Sequence, residues 1–184
     1  QGLVRITQGS GTYVEDFAVD LVLGKRTRHQ QGLAQAGLRG SLVVLQAQTT
    51  RATAALAKAL QVPARSPLLA LRVRGDAEGQ PLHISERYFP LPRFENLAAV
   101  VRETGSITAG FTAHGVADYT RRESRITAEL PSAEVAAQLR QPTSRPVLQV
   151  ESLNVDLAGT PIEWARAWFA GDRVKLTIDH DEHA

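Results

Sequence analysis

The chain of 184 residues contains no cysteine. This absence excludes disulfide bonds, thiolate nucleophiles and cysteine-ligated metals. No apolar run approaches the roughly 20 residues that a membrane-spanning helix needs, and no basic segment followed by an apolar one marks a secretory signal. We therefore expect a cytoplasmic protein with about one domain's worth of sequence.

The sequence also lacks the short motifs of common catalytic sites, namely the GxSxG elbow, the Walker loop and HExxH. Asp156 and Glu163 could form a pair of acids, but an aspartate beside a turn is more often a turn former. The HDEH segment at 180–183 is better explained as a solvated terminus than as a metal site. We expect no catalytic residue, no metal and no cofactor.

The charged residues are nearly balanced in number but unusual in kind. Lys and Arg total 21 against 19 Asp and Glu, and 18 of the 21 cations are arginine. Guanidinium groups recognise planar or tetrahedral anions through paired donors. The composition therefore favours an anion-binding module over an enzyme, although a net charge of +2 does not by itself indicate nucleic-acid binding.

Two similar segments follow one another along the chain with an offset of 79 or 80 residues. The matched positions are Leu60 with Leu139, Pro67 with Pro146, Pro81 with Pro161, and Phe89 with Phe169. Each copy has the pattern of a strand, a short helix and a β-hairpin whose turn contains Gly, Asp and Pro. Strands joined by hairpins predict an α+β fold, with helices packed on an antiparallel sheet.

Three places in this pattern could bind a ligand. Arg72 and Arg74 stand side by side on one hairpin arm, as bidentate anion binding requires; a solvated edge covered by arginine stems is the alternative. Glu163 and Phe169 share a strand face with two alanines that leave open volume; a salt-bridged glutamate beside core alanines is the alternative. Ser106 could offer a helix start to an anion, or act only as an N-cap.

The sequence around these positions resembles that of a known protein family. The segment LVRITQGSGTYV is similar to the closing wing of the winged helix-turn-helix in GntR-superfamily transcription factors. The remainder resembles the UTRA effector domain of the HutC subfamily, through RVRGDAEGQPLHISERYFP, GSIT and GTPIEWARAWFAGDRVKLTID. The resemblance divides the chain into a wing remnant at 1–15, a linker at 16–25, the UTRA domain at 26–180 and a tail at 181–184.

The resemblance implies a chorismate-lyase-like α+β fold, a homodimer and a pocket for a small, usually anionic effector. Operator DNA would be bound only through a winged-helix domain, as in a repressor. A chorismate-lyase-like enzyme on the same fold and a dimerisation module without a ligand remain alternatives. The implied ligand-binding residues are Arg28, His29, Gln30, Arg72, Arg74, Glu86, Ser106, Glu163 and Phe169.

The expected ligand comes from the same resemblance. The segment TRHQQGL, which contains Arg28, His29 and Gln30, is similar to a segment of regulators of phosphonate uptake and breakdown. These three residues are therefore expected to close over a phosphonate or phosphate ester. Phe169 stands where relatives often have tyrosine, so a hydroxyl contact is lost there. Urocanate, amino-sugar phosphates and fatty acids remain alternative effectors.

Overall fold

The computed structural model describes residues 4–6, 12–14, 19–24 and 38–178. The strands in these ranges are β1 (Val4–Ile6), β2 (Thr12–Val14), β3 (Val19–Val22), β4 (Gly40–Arg51), β5 (Pro67–Ala77), β6 (Gln80–Pro90), β7 (Tyr119–Glu129), β8 (Val147–Asp156), β9 (Pro161–Ala170) and β10 (Val174–Thr177). The helices are α1 (Ala54–Leu60), α2 (Leu97–Thr104), α3 (Ile107–Ala113) and α4 (Ala133–Gln138).

A six-stranded antiparallel sheet forms the centre of the fold, with the order β4-β5-β6-β9-β8-β7. The two repeats, β4-α1-β5-β6 and β7-α4-β8-β9, occupy its two halves in mirrored order. Glu86 of β6 lies opposite Arg166 of β9, and these residues are also equivalent in the repeat. A pseudo-twofold axis therefore passes between them, and the α+β expectation is confirmed.

Two small sheets accompany the large one. β1 and β2 form an antiparallel pair, whereas β3 and β10 pair in parallel. β3 lies inside the segment 16–25 that was interpreted as a linker, and its backbone is hydrogen-bonded to the last strand of the domain. This segment is therefore not only an irregular connection.

The two faces of the large sheet are covered differently. The front face, defined by Leu71 and Glu163, is covered over the first repeat by α2 and α3, which lie between the repeats in sequence. There Phe89, Phe94 and Phe111 pack edge to face at centroid distances of 5.7–5.9 Å. The back face is covered by α1 and α4.

The second repeat has no equivalent pair of helices over its front face in the described part of the chain. Instead, β3 and β10 cover one end of it, where Val19 and Leu21 pack with Val150 and Phe169. No helix of the described ranges therefore covers much of the front face near the sheet centre, and this asymmetry positions the site described below.

The turn between β8 and β9 is held by Asp156. One carboxylate oxygen accepts hydrogen bonds from the backbone N–H groups of Ala158 and Thr160, at 3.1 and 3.0 Å. The other accepts one from Arg93 at 2.9 Å. Burial alone would raise the pKa of Asp156, but the hydrogen bonds from Arg93 and the backbone outweigh it and lower the pKa. Asp156 is thus a turn former.

We expect Asp156→Asn to lower the free energy of unfolding by about 1–2 kcal/mol at pH 7, because it removes a charged acceptor. Folding lowers the pKa of this carboxylate, so its full contribution to the stability of the folded state is present above the unfolded-state pKa of about 3.9. The contribution is lost as the pH falls through the lower pKa of the folded state. Urea denaturation should therefore show a smaller difference at pH 3 than at pH 7.

The control for this variant is Asp172→Asn, because Asp172 pairs with Arg145 at the surface. Such an exposed pair is worth about 0–1 kcal/mol. An equal loss for both variants, or a loss at Asp156 that does not depend on pH, would contradict the assignment.

Candidate functional site

A cavity of about 250 Å³ lies between the front face of the sheet, β3 and the beginning of α3. Its polar lining consists of His83, Arg87, Ser106, Thr108, Tyr119, Arg121, Ser152, Asn154 and Glu163. Its apolar lining consists of Leu21, Val22, Leu23, Leu42, Ile107, Val150, Ala165, Ala167 and Phe169.

Strand alternation selects the residues that face the cavity. Glu163, Ala165, Ala167 and Phe169 follow one another on the front face of β9, and all four line the cavity. Small side chains in the middle of this row leave the open volume. The structure thus brings together Glu163, Phe169 and Ser106 of the residues predicted from sequence.

Glu163 is the buried centre of the polar lining, with a side chain that is 1% exposed. One carboxylate oxygen accepts a hydrogen bond from Arg87 at 2.6 Å, and the other accepts one from the side-chain amide of Asn154. Arg87 also donates its Nε–H to Ser85 Oγ at 3.0 Å. The charge of Glu163 is therefore compensated, and each of its carboxylate oxygens accepts a hydrogen bond.

Arg121 is the second cation of the cavity, and it differs from Arg87 in its hydrogen bonding. It lies on β7 opposite Asn154, and its Nε is buried without a hydrogen-bond partner among the described residues. Burial, together with the like charge of Arg87, lowers the pKa of Arg121. A buried donor without an acceptor is costly, so an anionic group in the cavity would be stabilised here.

Hydroxyl groups line the side of the cavity at α3. Ser106 Oγ accepts the N–H of Ala109 at 3.2 Å, so the serine is an N-cap as predicted, and its own hydrogen remains available to a ligand. The hydroxyls of Thr108 and Tyr119 are 2.8 Å apart and connect α3 to β7.

His83 and Phe169 form an aromatic wall of the cavity. Their ring centroids are 5.1 Å apart with an interplanar angle of 35°, and His83 is buried. A Cβ at Gly75 would lie 2.1 Å from the His83 ring. Glycine at position 75 is therefore needed for this ring position.

The paired arginines are not at this cavity, which corrects the sequence-based expectation. Arg72, Arg74 and Glu86 lie on the back face, because their side chains alternate with the front-facing Leu71, Val73 and Arg87. Arg72 pairs there with Glu134 of α4 at 2.5 Å, whereas Arg74 makes two hydrogen bonds to Asp76, at 2.8 and 2.9 Å. Nε of Arg72 is also buried without a hydrogen-bond partner among the described residues, but Arg72 lines neither the front cavity nor the back-face groove.

The three remaining predicted residues, Arg28, His29 and Gln30, lie outside the described residues, and their role stays a prediction. Sequence reasoning missed Arg87 and Arg121. Arg87 could have been found from the repeat. Antiparallel pairing about Glu86 and Arg166 places Arg87 opposite Ala165, which belongs to the row of β9 that was expected to face the ligand. Arg121 precedes a register shift between Arg121 and Glu123, which no residue pattern indicated.

A larger groove of about 610 Å³ lies on the back face, between α1 and the strands of the second repeat. Two arginines in it are paired, Arg166 with Glu151 and Arg125 with Glu123. Volume alone would favour this groove, but of the two it is the front cavity that is lined by Arg121, whose buried Nε has no hydrogen-bond partner among the described residues. We therefore take the front cavity as the candidate site.

Two kinds of feature are absent from the described ranges. No group of three or more His, Cys, Asp or Glu side chains there is placed to hold a metal ion. No helix there is long and apolar enough to cross a membrane.

An α+β domain with a small, cationic, partly apolar cavity has the features of a small-molecule-binding domain. Residues 35–175 match the UTRA domain. An uncharacterized HTH-type transcriptional regulator of Rhizobium meliloti (strain 1021) is 37% identical over 180 residues, which cover 97% of this chain and 74% of that protein. The chain belongs to the UTRA domain family of HTH-type transcriptional regulators.

Solved structures show the same fold. PhnF from Mycobacterium smegmatis superposes with a TM-score of 0.86 at 23% identity, over 97% of this chain and 78% of that one. The ligand-binding domain of a putative GntR-family regulator from Bordetella bronchiseptica gives a TM-score of 0.65 at 24% identity, over 73% and 85% of the two chains.

We expect Glu163→Gln to lower the free energy of unfolding by about 3–5 kcal/mol, because it leaves Arg87 without its buried counter-charge. The matched control is Glu151→Gln, which breaks the more exposed pair with Arg166 on the back face and should cost less than about 1 kcal/mol. Urea denaturation measures both. Similar losses for the two variants would show that burial of the front pair is energetically unimportant.

Proposed function

We propose that this chain is the effector-binding and dimerisation domain of a transcriptional repressor, and that a small anionic metabolite binds in the front cavity. The observation that carries the proposal is the buried Nε of Arg121, which has no hydrogen-bond partner among the described residues. An anion beside it would supply the missing acceptor and offset the burial of the guanidinium.

The cavity constrains the effector's size and shape. Its volume of about 250 Å³ is below the roughly 300–1,000 Å³ typical of drug-sized ligands. The anionic group would lie at Arg121 with the hydroxyl of Ser106 as a further donor, and the rest of the molecule would lie against Phe169 and the alanines of β9. Arg87 is held by Glu163 and contributes positive potential.

A phosphonate or phosphate ester fits this arrangement, because a tetrahedral anion accepts hydrogen bonds from guanidinium and hydroxyl groups together. The fold similarity to PhnF and the resemblance of the TRHQQGL segment to regulators of phosphonate metabolism also support this choice. Arg28, His29 and Gln30 would then complete the site from that segment.

The response would pass through β3. Leu21, Val22 and Leu23 line the cavity, and they belong to the segment that follows the β1–β2 hairpin in the chain. An effector that contacts this segment differently in two arrangements of a dimer would shift the equilibrium between them. This shift would determine whether an attached DNA-binding domain binds its operator DNA. We expect the protein to act in the cytoplasm.

We expect Arg121→Gln to weaken effector binding about 10- to 150-fold, the equivalent of one hydrogen bond to a charged group. The matched control is Arg122→Gln, because Arg122 is the next residue, is exposed and does not line the front cavity. Titration calorimetry against alkylphosphonates, phosphate monoesters and urocanate measures the affinities of wild type and both variants.

Equal affinities for wild type and Arg121→Gln would contradict the placement of the anion. Absence of binding by every compound would favour a dimerisation module without a ligand. Release of pyruvate from chorismate by the wild-type protein would instead favour the enzyme alternative.

A further inference from the structure

We propose that the groove on the back face of the sheet is a second small-molecule site, which binds a primary amine that carries an aromatic or aliphatic body. The ammonium group would lie at Glu86, and the body would lie against Tyr88 and Trp164. The volume of about 610 Å³ is within the range of roughly 300–1,000 Å³ typical of ligand pockets. This site does not depend on the function proposed for the front cavity.

A row of alternating charges crosses the back face and forms the floor of the groove. Each member lies opposite the next one on the neighbouring strand. Opposite charges in such cross-strand positions stabilise a sheet. In strand order from β5 to β7, the row consists of Arg72, Glu86, Arg166, Glu151 and Arg125, and the last four line the groove.

Glu86 is the member of this row whose charge is not paired among the described residues. Its neighbour Arg72 donates to Glu134 of α4 at 2.5 Å instead. Its other neighbour, Arg166, donates two hydrogen bonds to one oxygen of Glu151, at 3.1 and 2.7 Å. Glu86 is partly buried, so water compensates its charge less well than at the surface. A ligand cation would supply the missing counter-charge.

The repeat shows how the chain itself fills the equivalent place in the other half. Ala55 of α1 corresponds to Glu134 of α4, with the same offset of 79 residues. Glu134 reaches the row and pairs with Arg72, whereas Ala55 is too short to do so and lines the open groove. The row has the opposite sign here, since Arg72 corresponds to Glu151. The ion that α1 does not supply from this position is therefore a cation.

Aromatic and apolar side chains lie beside Glu86. Tyr88 and Trp164 are opposite each other in the register, with ring centroids 5.8 Å apart at 47°, and Leu56 and Leu153 extend this lining. Burial, together with the negative charge of Glu86, raises the pKa of Tyr88, so its hydroxyl stays neutral at pH 7. A carboxylate next to aromatic rings suits an ammonium group that carries an apolar body.

Cationic side chains also line the groove, but they do not favour an anion at Glu86. Two of them, Arg125 and Arg166, are paired with glutamates of β7 and β8. The other two, Lys58 and Arg122, are exposed. Solvent screens exposed charges strongly, so their repulsion of an ammonium group at the floor of the groove is weak.

The test uses the fluorescence of Trp164 in the variant Trp168→Phe, because the chain has two tryptophans and Trp164 is the one that lines the groove. The probes are phenethylamine, phenethyl alcohol and 3-phenylpropionate, which share a phenyl body and differ in charge. We expect a saturable change with the amine at pH 7, and binding of the other two that is at least about tenfold weaker. Saturation-transfer NMR makes the same comparison on the wild-type protein.

The first variant removes the charge of Glu86. We expect Glu86→Gln to weaken binding of phenethylamine by at least about fivefold, because it removes a charged acceptor. The matched control is Glu129→Gln, since Glu129 lies on β7 outside the groove and the change in net charge is the same. We expect this control to bind the amine as before.

The second variant gives α1 the counter-ion that it lacks. Ala55→Lys places a cation of the chain in the groove, as Glu134 places an anion in the other half, and should abolish amine binding in a folded protein. The matched control is Ala54→Lys, because Ala54 is exposed on the same helix and does not line the groove. Circular dichroism establishes that each variant is folded.

Four outcomes would overturn the inference. They are absence of phenethylamine binding, equal binding of the alcohol or the propionate, unchanged affinity in Glu86→Gln, and unchanged affinity in folded Ala55→Lys. The effector site on the front face is tested separately. Arg121→Gln should leave amine binding intact, so failure of either site is recognised without reference to the other.

Discussion

The hydrogen-bonded ion pair between Arg87 and Glu163 connects the two repeats at the centre of the molecule. β6 and β9 pair over six residues each about the pseudo-twofold axis, and the contact between Arg87 and Glu163 adds a buried charge pair on the front face. A buried carboxylate is tolerated only when it is paired and hydrogen-bonded. Asn154 and Arg87 meet this requirement, whereas Nε of the neighbouring Arg121 has no hydrogen-bond partner among the described residues.

Among the described residues, the front faces of the two repeats are covered by different elements, and the cavity lies where no described helix covers the second repeat. α2 and α3 fill the front face of the first repeat with aromatic side chains, whereas small residues of β9 and the β3–β10 pair border the open part of the second. The same internal duplication therefore gives a packed core in one half and a ligand-sized space in the other. The strand β3 also forms one of the walls of this space.

Much of the architecture was predictable because repeats and strand patterns are local properties. The matched Pro81 and Pro161 located both hairpins, and Ser106 caps α3 as the sequence predicted. Arg72 and Arg74 were expected at the ligand site but lie on the opposite face of the sheet, and this difference has another cause. Their shared face was predicted, but which face of the sheet carried the cavity depended on where α2 and α3 packed.

The sequence by itself determined the α+β class, the duplicated unit and the row of Glu163, Ala165, Ala167 and Phe169, since each follows from spacing along one segment. Only the tertiary structure decided that Arg87 and Arg121 are the cations of the cavity and that Arg72 and Arg74 are bound to Glu134 and Asp76 on the other face. These assignments depend on the sheet register, a bulge in β7 and helix packing. All three are set by contacts between segments far apart in the chain, which the pattern of any single segment does not contain.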